Sequence, residues 1–221
     1  MEEQLRQQRN STRHPPPNLI EEKALFVQGY NFVAGIDEVG RGALAGPVVA
    51  AAVILPKSVD SDKLANVRDS KEITAAKREL LSKLIENEAV AVGIGIVSPQ
   101  TIDSINILNA TRLAMRQAIG QLSCSPDFLL IDGMTIPRLN ILQKKIIKGD
   151  KLCLSIACAS IIAKVTRDRI MVELNDSYPN YGLANHKGYG TAHHLTCLSE
   201  NGPSPIHRLT FAPVKETYKL L

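Results

Sequence analysis

Two adjacent acids are followed almost at once by a glycine-rich segment that contains one arginine. Asp37 and Glu38 end the apolar stretch 32–36, which is typical of a buried strand, and Gly40-Arg41-Gly42 comes next. Unpaired charges are costly to bury, so acids at this position indicate that something is bound there. Glycines let backbone amides approach an anion, and a planar guanidinium suits a phosphate. The pattern favours a phosphate-handling site; the alternative is a solvated turn with a structural arginine–aspartate pair.

The same pattern occurs at two later points of the chain. The apolar segment 128–131 is followed by Asp132 and a glycine, and the segment 145–148 is followed by a glycine and Asp150. In an open sheet with parallel members, ligands gather at the carboxyl ends of the strands. We therefore expect Asp132 and Asp150 to converge with Asp37 on one site.

Clustered carboxylates are the ligands that divalent magnesium or manganese prefers. Like charges at close range repel one another, so a group of four acids is most simply explained by bound cations. The four are Asp37, Glu38, Asp132 and Asp150. Two such ions about 3.5–4 Å apart activate a water, orient a phosphodiester and stabilise the leaving oxygen. The sequence therefore predicts a two-metal site for Mg²⁺ or Mn²⁺ and phosphoryl transfer without a protein nucleophile.

Strand geometry restricts this site. Consecutive strand residues point to opposite faces, so Asp37 and Glu38 do not both face one metal pair in an ideal strand. The strand must therefore twist or end at Glu38, and Gly40 is placed to allow it. None of the histidines lies beside the acids in sequence, and His193 and His194 are predicted to be surface residues of a helix.

Alternating apolar runs and amphipathic stretches predict an α/β fold. Strands are predicted at 32–37, 47–55, 89–97 and 128–132, and helices at 74–87, 107–122 and 152–175. Ser98-Pro99 is predicted to open a further helical region, and Thr191 to cap a short helix. Gly93 and Gly95 share one strand face, where another backbone or a ligand comes close. Small residues in the first half of the last long helix let it lie close to a sheet.

The chain is predicted to contain one domain with a polar N-terminal extension. Residues 1–30 form the extension, whose Pro15-Pro16-Pro17 resists helix, and residues 31–221 form the domain with a helical C-terminal region. With 44% hydrophobic and 22% charged residues, the composition is ordinary for a globular protein. A formal net charge of +4 permits a nucleic-acid partner without requiring one.

Further features bound the location and the partners. The four cysteines form no CxxC pair and are read as small core residues of a reducing compartment. No apolar run is long enough to span a bilayer and no secretory signal opens the chain, so the prediction is a cytoplasmic protein without a membrane partner. A monomer is expected.

Two sets of side chains have more than one interpretation. At least two of Lys164, Arg167 and Arg169 are predicted to pair with acids such as Asp168 on a solvated face. Tyr189 lies in a loop rich in glycine and lysine, and it is predicted either to touch a ligand or to be a buried tyrosine with one hydrogen bond.

The motifs together resemble bacterial ribonuclease HII, the type 2 ribonuclease H. The segments that carry the resemblance occur in order: 35–42, Asp69-Ser70-Lys71, 131–133, 148–150, 155–168 and 186–189. The resemblance covers about residues 30 to 215 and implies a ribonuclease H-like fold, with a five-stranded mixed sheet flanked by helices. It also implies endonucleolytic cleavage of RNA in RNA–DNA hybrids and at single ribonucleotides embedded in duplex DNA, which leaves 3′-hydroxyl and 5′-phosphate ends.

The resemblance also assigns roles to individual positions. Asp37, Glu38, Asp132 and Asp150 match the catalytic metal-binding carboxylates, and Gly40, Arg41 and Gly42 match a tripeptide that senses the ribose 2′-hydroxyl. Tyr189 matches a tyrosine that contacts the same hydroxyl and stacks on the next sugar, while Ser70 and Lys71 resemble positions that bind the nucleic-acid backbone. The rival interpretations are a metal-dependent exonuclease or phosphohydrolase of the same broad fold and a non-catalytic binder of hybrid duplexes. A contact with a replication clamp is left open.

Overall fold

The computed structural model of the protein describes residues 15–60, 62–68, 70 and 73–218. Within this part of the chain, a five-stranded mixed sheet has the strand order β3-β2-β1-β4-β5. The strands are β1 (Val33–Val39), β2 (Val48–Ile54), β3 (Ala91–Val97), β4 (Phe128–Asp132) and β5 (Leu142–Ile146). β1, β2 and β3 pair antiparallel, whereas β4 runs parallel to both β1 and β5. The expected five-stranded mixed sheet with flanking helices is confirmed.

The helices begin where the sequence supplies side-chain caps. Thr74, Ser98 and Thr191 each accept a hydrogen bond from the backbone N–H three residues later, at the starts of three helices. The helices are α1 (Ile20–Val27), α2 (Ala75–Glu88), α3 (Pro99–Gly120), α4 (Gly149–Leu152), α5 (Leu154–Ser177), α6 (Leu183–His186), α7 (Ala192–Asn201) and α8 (Ala212–Tyr218), with a 3₁₀ turn at Pro179–Tyr181. α3 is kinked at Asn106, whose φ is 64°, so it comprises the two helical regions that the sequence predicts.

The sheet is covered by α5 on one face and by α3 on the other, and glycines allow both to approach closely. A Cβ on Gly35 would lie 2.2 Å from the carbonyl carbon of Ser155 in α5. On the opposite face, Cβ atoms on Gly93 and Gly95 would lie 2.0 and 1.9 Å from carbonyl oxygens of α3. The close approach predicted for Gly93 and Gly95 is therefore to another backbone.

Two sequence predictions differ from the structure: the first strand is longer than predicted, and the segment before Asp150 has a different conformation. β1 continues two residues past Asp37, because Glu38 and Val39 still pair with β2. The segment before Asp150 is not a strand that ends in an acid. β5 stops at Ile146, and Lys148 adopts a left-handed conformation (φ 58°) that turns the chain into α4. Asp150 therefore lies in the first turn of a short helix.

The described part of the predicted N-terminal extension packs on the domain. Glu22 of α1 is 1% exposed, and its Oε1 accepts hydrogen bonds from the Ser155 amide at 2.8 Å and from the Cys153 thiol at 3.1 Å. Residues 1–14 lie outside the described residues. No helix in the described ranges is long and apolar enough to cross a membrane. Three cysteines, Cys153, Cys158 and Cys197, are buried and free, as predicted for core residues.

Candidate active site

Asp37 lies near the end of the central strand, on the face covered by α5. Its side chain is 6% exposed and makes a hydrogen bond with Ser160 of α5. Burial raises the pKa of Asp37 well above its usual range, and the negative charges of Glu38 and Asp132 raise it further. A carboxylate in such a place stays ionised most easily when a cation is near, so Asp37 has the environment of a metal ligand.

Glu38 follows on β1 and reaches both the acids and the glycine-rich loop. Burial raises its pKa, the positive charge of Arg41 lowers it, and Asp132 raises it. Its Oε1 accepts a hydrogen bond from Arg41 Nη1 at 3.1 Å, while its Oε2 is buried without a hydrogen-bond partner. A buried oxygen that nothing satisfies is costly unless a cation or a donor completes it.

Asp132 ends β4 and connects the strand acids to Asp150. β1 and β4 are parallel, with Ile36 opposite Ile131, so Asp37 and Asp132 follow paired residues at the same edge of the sheet. Asp132 Oδ1 accepts the Gly149 amide at 2.7 Å, and Asp150 is the next residue and is 8% exposed. A Cβ on Gly149 would lie 2.6 Å from the end of the Ile156 side chain and 3.3 Å from Asp132 Oδ1, so a larger residue here would have to displace the Ile156 side chain.

The structure thus brings three of the predicted acids into one electrostatic group and places the fourth beside them. Asp37, Glu38 and Asp132 influence one another's charge, and Asp150 follows the residue that binds Asp132. In the described ranges no three acids, histidines or cysteines are gathered into a complete cluster that could hold a metal ion. The donors are carboxylate oxygens and include the unpartnered Glu38 Oε2, a set that fits Mg²⁺ or Mn²⁺.

The Gly40-Arg41-Gly42 loop leaves the acid cluster and runs along the surface. Gly40 has a φ of 90°, and a Cβ there would lie 2.1 Å from Arg167 Nε, so both the conformation and the space require glycine. A Cβ on Gly42 would meet nothing within 4 Å. Gly40 is buried, whereas Gly42 is exposed and the Arg41 side chain is 45% exposed while it pairs with Glu38, so Arg41 and Gly42 face outward beside the acids.

Arg167 of α5 is a buried cation that holds this loop, which the sequence did not reveal. Its guanidinium donates three hydrogen bonds to backbone carbonyls: Nε to Pro47 at 2.9 Å, Nη1 to Lys187 at 2.9 Å and Nη2 to Ala45 at 3.1 Å. The predicted pairing with an acid on a solvated face is wrong for Arg167, which is 0% exposed. Helical spacing could have predicted this burial, because Arg167 lies seven residues after the buried Ser160 and therefore on the same face of α5.

A second buried arginine, Arg208, binds the same loop from the C-terminal region. Its Nη1 donates to the Arg41 carbonyl at 2.9 Å, and its Nε and Nη2 donate to the Gly46 carbonyl at 3.1 and 2.9 Å. Burial lowers the pKa of Arg208, and the positive charge of Arg167 lowers it further. Two buried guanidiniums thus fix one backbone segment, residues 41–47. This indicates that the path of that segment is important for the site.

Both of the other predicted cations pair with acids. Lys164 donates to Asp168 at 2.7 Å on the same helix. Arg169 also pairs with an acid on an exposed face, but the acid is Glu79 of α2 and not an acid of its own helix. Lys164 also lines a groove between α2, α5 and the loop after α6, together with Arg78 and Lys187.

Tyr189 lies on a loop that is joined directly to the glycine-rich loop. Gly188 accepts hydrogen bonds at its carbonyl from the amides of Leu44 at 2.8 Å and Ala45 at 3.3 Å. The Tyr189 ring is exposed and lies over the Arg167 guanidinium, 5.4 Å from the ring centroid. The prediction of a buried tyrosine with one hydrogen bond is therefore wrong, and the ring is available to a ligand.

The remaining predicted positions are less accessible. Ser70 is 4% exposed, and its hydroxyl lies 3.2 Å from that of Ser160, which in turn binds Asp37. Lys71 lies outside the described residues, as does Asp69. His194, predicted to be a surface residue, is 0% exposed, because its ring packs on other histidines behind Tyr189. His193 is exposed, as predicted.

Comparisons with known proteins give a consistent family. A family model described as Ribonuclease HII matches residues 34–214. The chain is 55% identical to the ribonuclease HII of Dehalococcoides mccartyi strain ATCC BAA-2266 over 93% of this chain and 97% of that protein. It is 57% identical to the ribonuclease HII of Geobacter metallireducens over 85% of this chain and 87% of that protein.

Solved structures share the fold. The crystal structure of the ribonuclease H2 from Pyrococcus horikoshii OT3 matches with a TM-score of 0.74 and 25% identity, over 86% of this chain and 98% of that one. RNase HII from Archaeoglobus fulgidus, solved in complex with PCNA, matches with a TM-score of 0.70 and 25% identity over 84% and 96%. Bst-RNase HIII in complex with Mn²⁺ matches with a TM-score of 0.67 and 16% identity over 86% and 70%.

Proposed function

The chain belongs to the ribonuclease HII family, nucleases that cleave the RNA of RNA–DNA hybrids, and we propose that this protein also cuts at single ribonucleotides embedded in duplex DNA. The products are 3′-hydroxyl and 5′-phosphate ends. The acting unit is proposed to be a monomer whose catalytic domain is residues 31–221. This proposal is supported by the fact that the acids, the glycine-rich loop and Tyr189 all come from one chain.

One observation carries the proposal for embedded ribonucleotides. The exposed Tyr189 follows Gly188, whose carbonyl accepts a hydrogen bond from the amide of Leu44, two residues after the Gly40–Gly42 loop, and that loop is joined to the acids through the Arg41–Glu38 pair. At a single nucleotide, the 2′-hydroxyl is the feature that distinguishes RNA from DNA. A ring and a set of backbone amides held beside the carboxylates are suited to detect that hydroxyl next to the bond that is cut.

The carboxylates are proposed to hold two divalent cations. Asp37, Glu38, Asp132 and Asp150 would be the ligands; the burial of Asp37 and Glu38 and the repulsion among Asp37, Glu38 and Asp132 favour a cation, and Glu38 Oε2 has no hydrogen-bond partner. Such cations, when bound, supply water activation and stabilisation of the leaving oxygen at the scissile phosphate. Ribonucleases H depend on divalent metals, and Bst-RNase HIII has been solved with Mn²⁺. For this chain we propose Mn²⁺ or Mg²⁺.

Protein groups are proposed to bind and orient the duplex. Arg41 presents part of its guanidinium to solvent while Glu38 holds it in place, which suits a phosphate next to the cleaved bond. The groove lined by Arg78, Lys164, Arg169 and Lys187 is proposed as a further contact for the nucleic-acid backbone, although Glu79, Asp168 and Glu173 also line it and leave a net charge of only +1 from four cations and three acids. Ser70 and Lys71 are proposed as further contacts of the nucleic-acid backbone from the resemblance alone, since the Ser70 side chain is buried against Ser160.

The test is cleavage of three labelled duplexes that differ only in sugar chemistry. One contains a single ribonucleotide in DNA, one has an all-RNA strand opposite DNA, and one is all DNA. We expect cleavage of the first two in Mg²⁺ or Mn²⁺ and none of the third. Undiminished cleavage in excess chelator would overturn the metal proposal, and equal cleavage of the all-DNA duplex would favour a general phosphodiesterase without a 2′-hydroxyl sensor.

A further inference from the structure

Behind Tyr189 lies a pair of buried histidines with no assigned role. His194 of α7 is 0% exposed and His207 is 2% exposed, and their Nε2 atoms lie 3.1 Å apart. His194 Nδ1 lies 3.0 Å from the carbonyl oxygen of Tyr189. His207 Nδ1 lies 3.0 Å from the Ser204 amide nitrogen and 2.9 Å from the Ser204 hydroxyl. The two rings therefore connect the backbone of Tyr189 to a segment near the C-terminus.

The partners of the pair determine where its protons are. A carbonyl oxygen only accepts, so His194 Nδ1 must carry the hydrogen that it donates to Tyr189. A backbone N–H only donates, so His207 Nδ1 must be bare to accept from Ser204. It follows that His207 Nε2 carries a hydrogen and donates it to the bare Nε2 of His194. When both rings are neutral, every ring nitrogen has a hydrogen-bond partner. A further proton on either ring would place two N–H groups against each other.

The surroundings of the pair also favour the neutral form. The His186 ring stacks on His194 with centroids 4.4 Å apart, and the Tyr181 ring packs on His207 at 4.7 Å. The neighbouring charges that lower the pKa values of the pair are those of His186 and His193, and the charge of Lys187 lowers the pKa of His186. Within the described ranges, no carboxylate is among the groups that shift the pKa of His194 or His207. Burial lowers the pKa of His207 to about 4 and also lowers that of His194.

We propose that His194 and His207 are positioning residues that hold Tyr189 in place to read the 2′-hydroxyl, and that acid releases this hold. The inference rests on the proposed role of Tyr189. The segment that carries His207 continues into Arg208, which binds the Arg41 and Gly46 carbonyls. One C-terminal segment thus supports both parts of the proposed sensor, the tyrosine through His207 and His194 and the glycine-rich loop through Arg208.

The sign of the pH effect follows from linkage. While the two histidines hold Tyr189, their pKa values lie below the ordinary value of about 6.5. Each histidine therefore binds a proton more tightly once Tyr189 is released. The hold on Tyr189 is therefore fully present above about pH 6.5 and weakens as the pH falls from there towards the His207 pKa of about 4. Each histidine that takes up a proton on release shifts the equilibrium by up to about tenfold per pH unit.

The experiment measures a ratio of cleavage rates between pH 8 and pH 5. The numerator is kcat/KM for the duplex with one ribonucleotide, and the denominator is kcat/KM for the all-RNA-strand hybrid. The pH dependence of the chemical step is common to both substrates and cancels. We expect the wild-type ratio to fall below about pH 6.5. His194→Ala should lower the ratio several-fold at pH 8, because the Tyr189 carbonyl loses its donor.

A conservative variant and a matched control make the test specific. His194→Asn retains a side-chain N–H near the Nδ1 position and does not titrate, so its ratio at pH 8 should approach the wild-type value and should fall less in acid than the wild-type ratio, because only His207 of the pair still titrates. Ser199→Ala changes an exposed residue of the same helix that does not titrate, and it should retain the wild-type ratio at every pH. Melting temperatures identify variants that fail to fold; if His194→Ala does, the wild-type and His194→Asn profiles decide.

Failure of this inference differs from failure of the proposed function. If Tyr189→Ala leaves the ratio unchanged, Tyr189 is not the sensor and the proposed function is overturned at that residue. If Tyr189→Ala lowers the ratio, but the wild-type ratio is constant from pH 8 to pH 5, then Tyr189 is the sensor and the histidine pair does not position it. The positioning role is also overturned if His194→Asn shows the same acid-dependent fall as the wild type.

Discussion

The acids at the sheet edge and the loops that form the proposed sensor are held by different kinds of interaction. Asp37 and Asp132 lie on paired parallel strands, so backbone hydrogen bonds within the sheet set their positions. The glycine-rich loop and the Tyr189 loop are irregular, and their carbonyls are bound by side chains: Arg167 and Arg208, which are distant in sequence from the glycine-rich loop, and His194, which lies five residues after Tyr189. The proposed chemistry would thus lie at the edge of the sheet and the proposed recognition on loops that side chains hold in place, and mutations should separate the two.

The largest effect should come from a change to the acids at the sheet edge. Asp37→Asn removes a proposed metal ligand, so turnover on every substrate should fall by more than the roughly 10- to 100-fold that outer-shell partners of a metal are worth. The fold should survive, because the pKa of Asp37 is raised by burial and by Glu38, which means that its charge destabilises the folded state at neutral pH. The measurements are kcat on the one-ribonucleotide and hybrid substrates and the melting temperature without metal.

Asp176→Asn is the matched control for this change. Asp176 is an exposed acid near the end of α5, so its variant should retain both turnover and melting temperature. If Asp37→Asn retained near wild-type turnover, or unfolded while the control did not, the acids at the sheet edge would not carry the chemistry. The distinction between these acids and the sensor loops would then fail.

The next largest effect should come from the backbone of the sensor loop. Gly40→Ala imposes a side chain at a φ of 90° and 2.1 Å from Arg167 Nε, which should lower the stability by about 1–3 kcal/mol and displace the loop. Gly42→Ala is matched to it in the same tripeptide, because a Cβ there meets nothing within 4 Å, and its melting temperature should not change. Equal thermal shifts for the two variants would mean that Arg167 does not fix the loop.

The sequence predicted the sheet and its acids because both follow from local patterns. Apolar runs that end in Asp37 and Asp132 indicated strands, and parallel pairing then brought their ends together. Asp150 was predicted at the site for the wrong local reason, since it belongs to the first turn of α4 and is positioned through the bond from the Gly149 amide to Asp132. A single left-handed residue, Lys148, decides that difference, and lysine gives no sequence signal for such a conformation.

The supports of the sensor could not be predicted in this way. Helical spacing can predict that Arg167 is buried, but the Pro47 and Gly46 carbonyls that Arg167 and Arg208 bind are more than a hundred residues away along the chain, and no spacing rule records such a pairing. His194 was predicted at the surface because a polar residue on a short helix is usually exposed. Its burial follows from tertiary packing against His186 and His207, which exists only when the C-terminal region folds over α7.

A smaller and more selective effect is expected from Tyr189→Ala. The ring is exposed and packs only on Arg167 among the described ring and cation contacts, so its loss should cost little stability. It should mainly reduce cleavage at a single embedded ribonucleotide, where the junction is the only signal, and reduce cleavage of the hybrid less. Equal loss on both substrates together with a lowered melting temperature would make Tyr189 a packing residue and remove the distinction between the two regions.

The smallest effect should come from Tyr189→Phe, which removes one hydroxyl and retains the ring. The ring can still lie over Arg167, 5.4 Å from its guanidinium, and can still stack on a sugar, so only the proposed hydrogen bond to the 2′-hydroxyl is lost. A net hydrogen bond is worth about 1 kcal/mol, so kcat/KM for the one-ribonucleotide duplex should fall about fivefold. Because an all-DNA duplex offers no 2′-hydroxyl, its binding affinity should be equal for the variant and the wild type. A fall in that affinity as well would assign the hydroxyl to a phosphate, and recognition would then lie in the Gly40–Gly42 backbone alone.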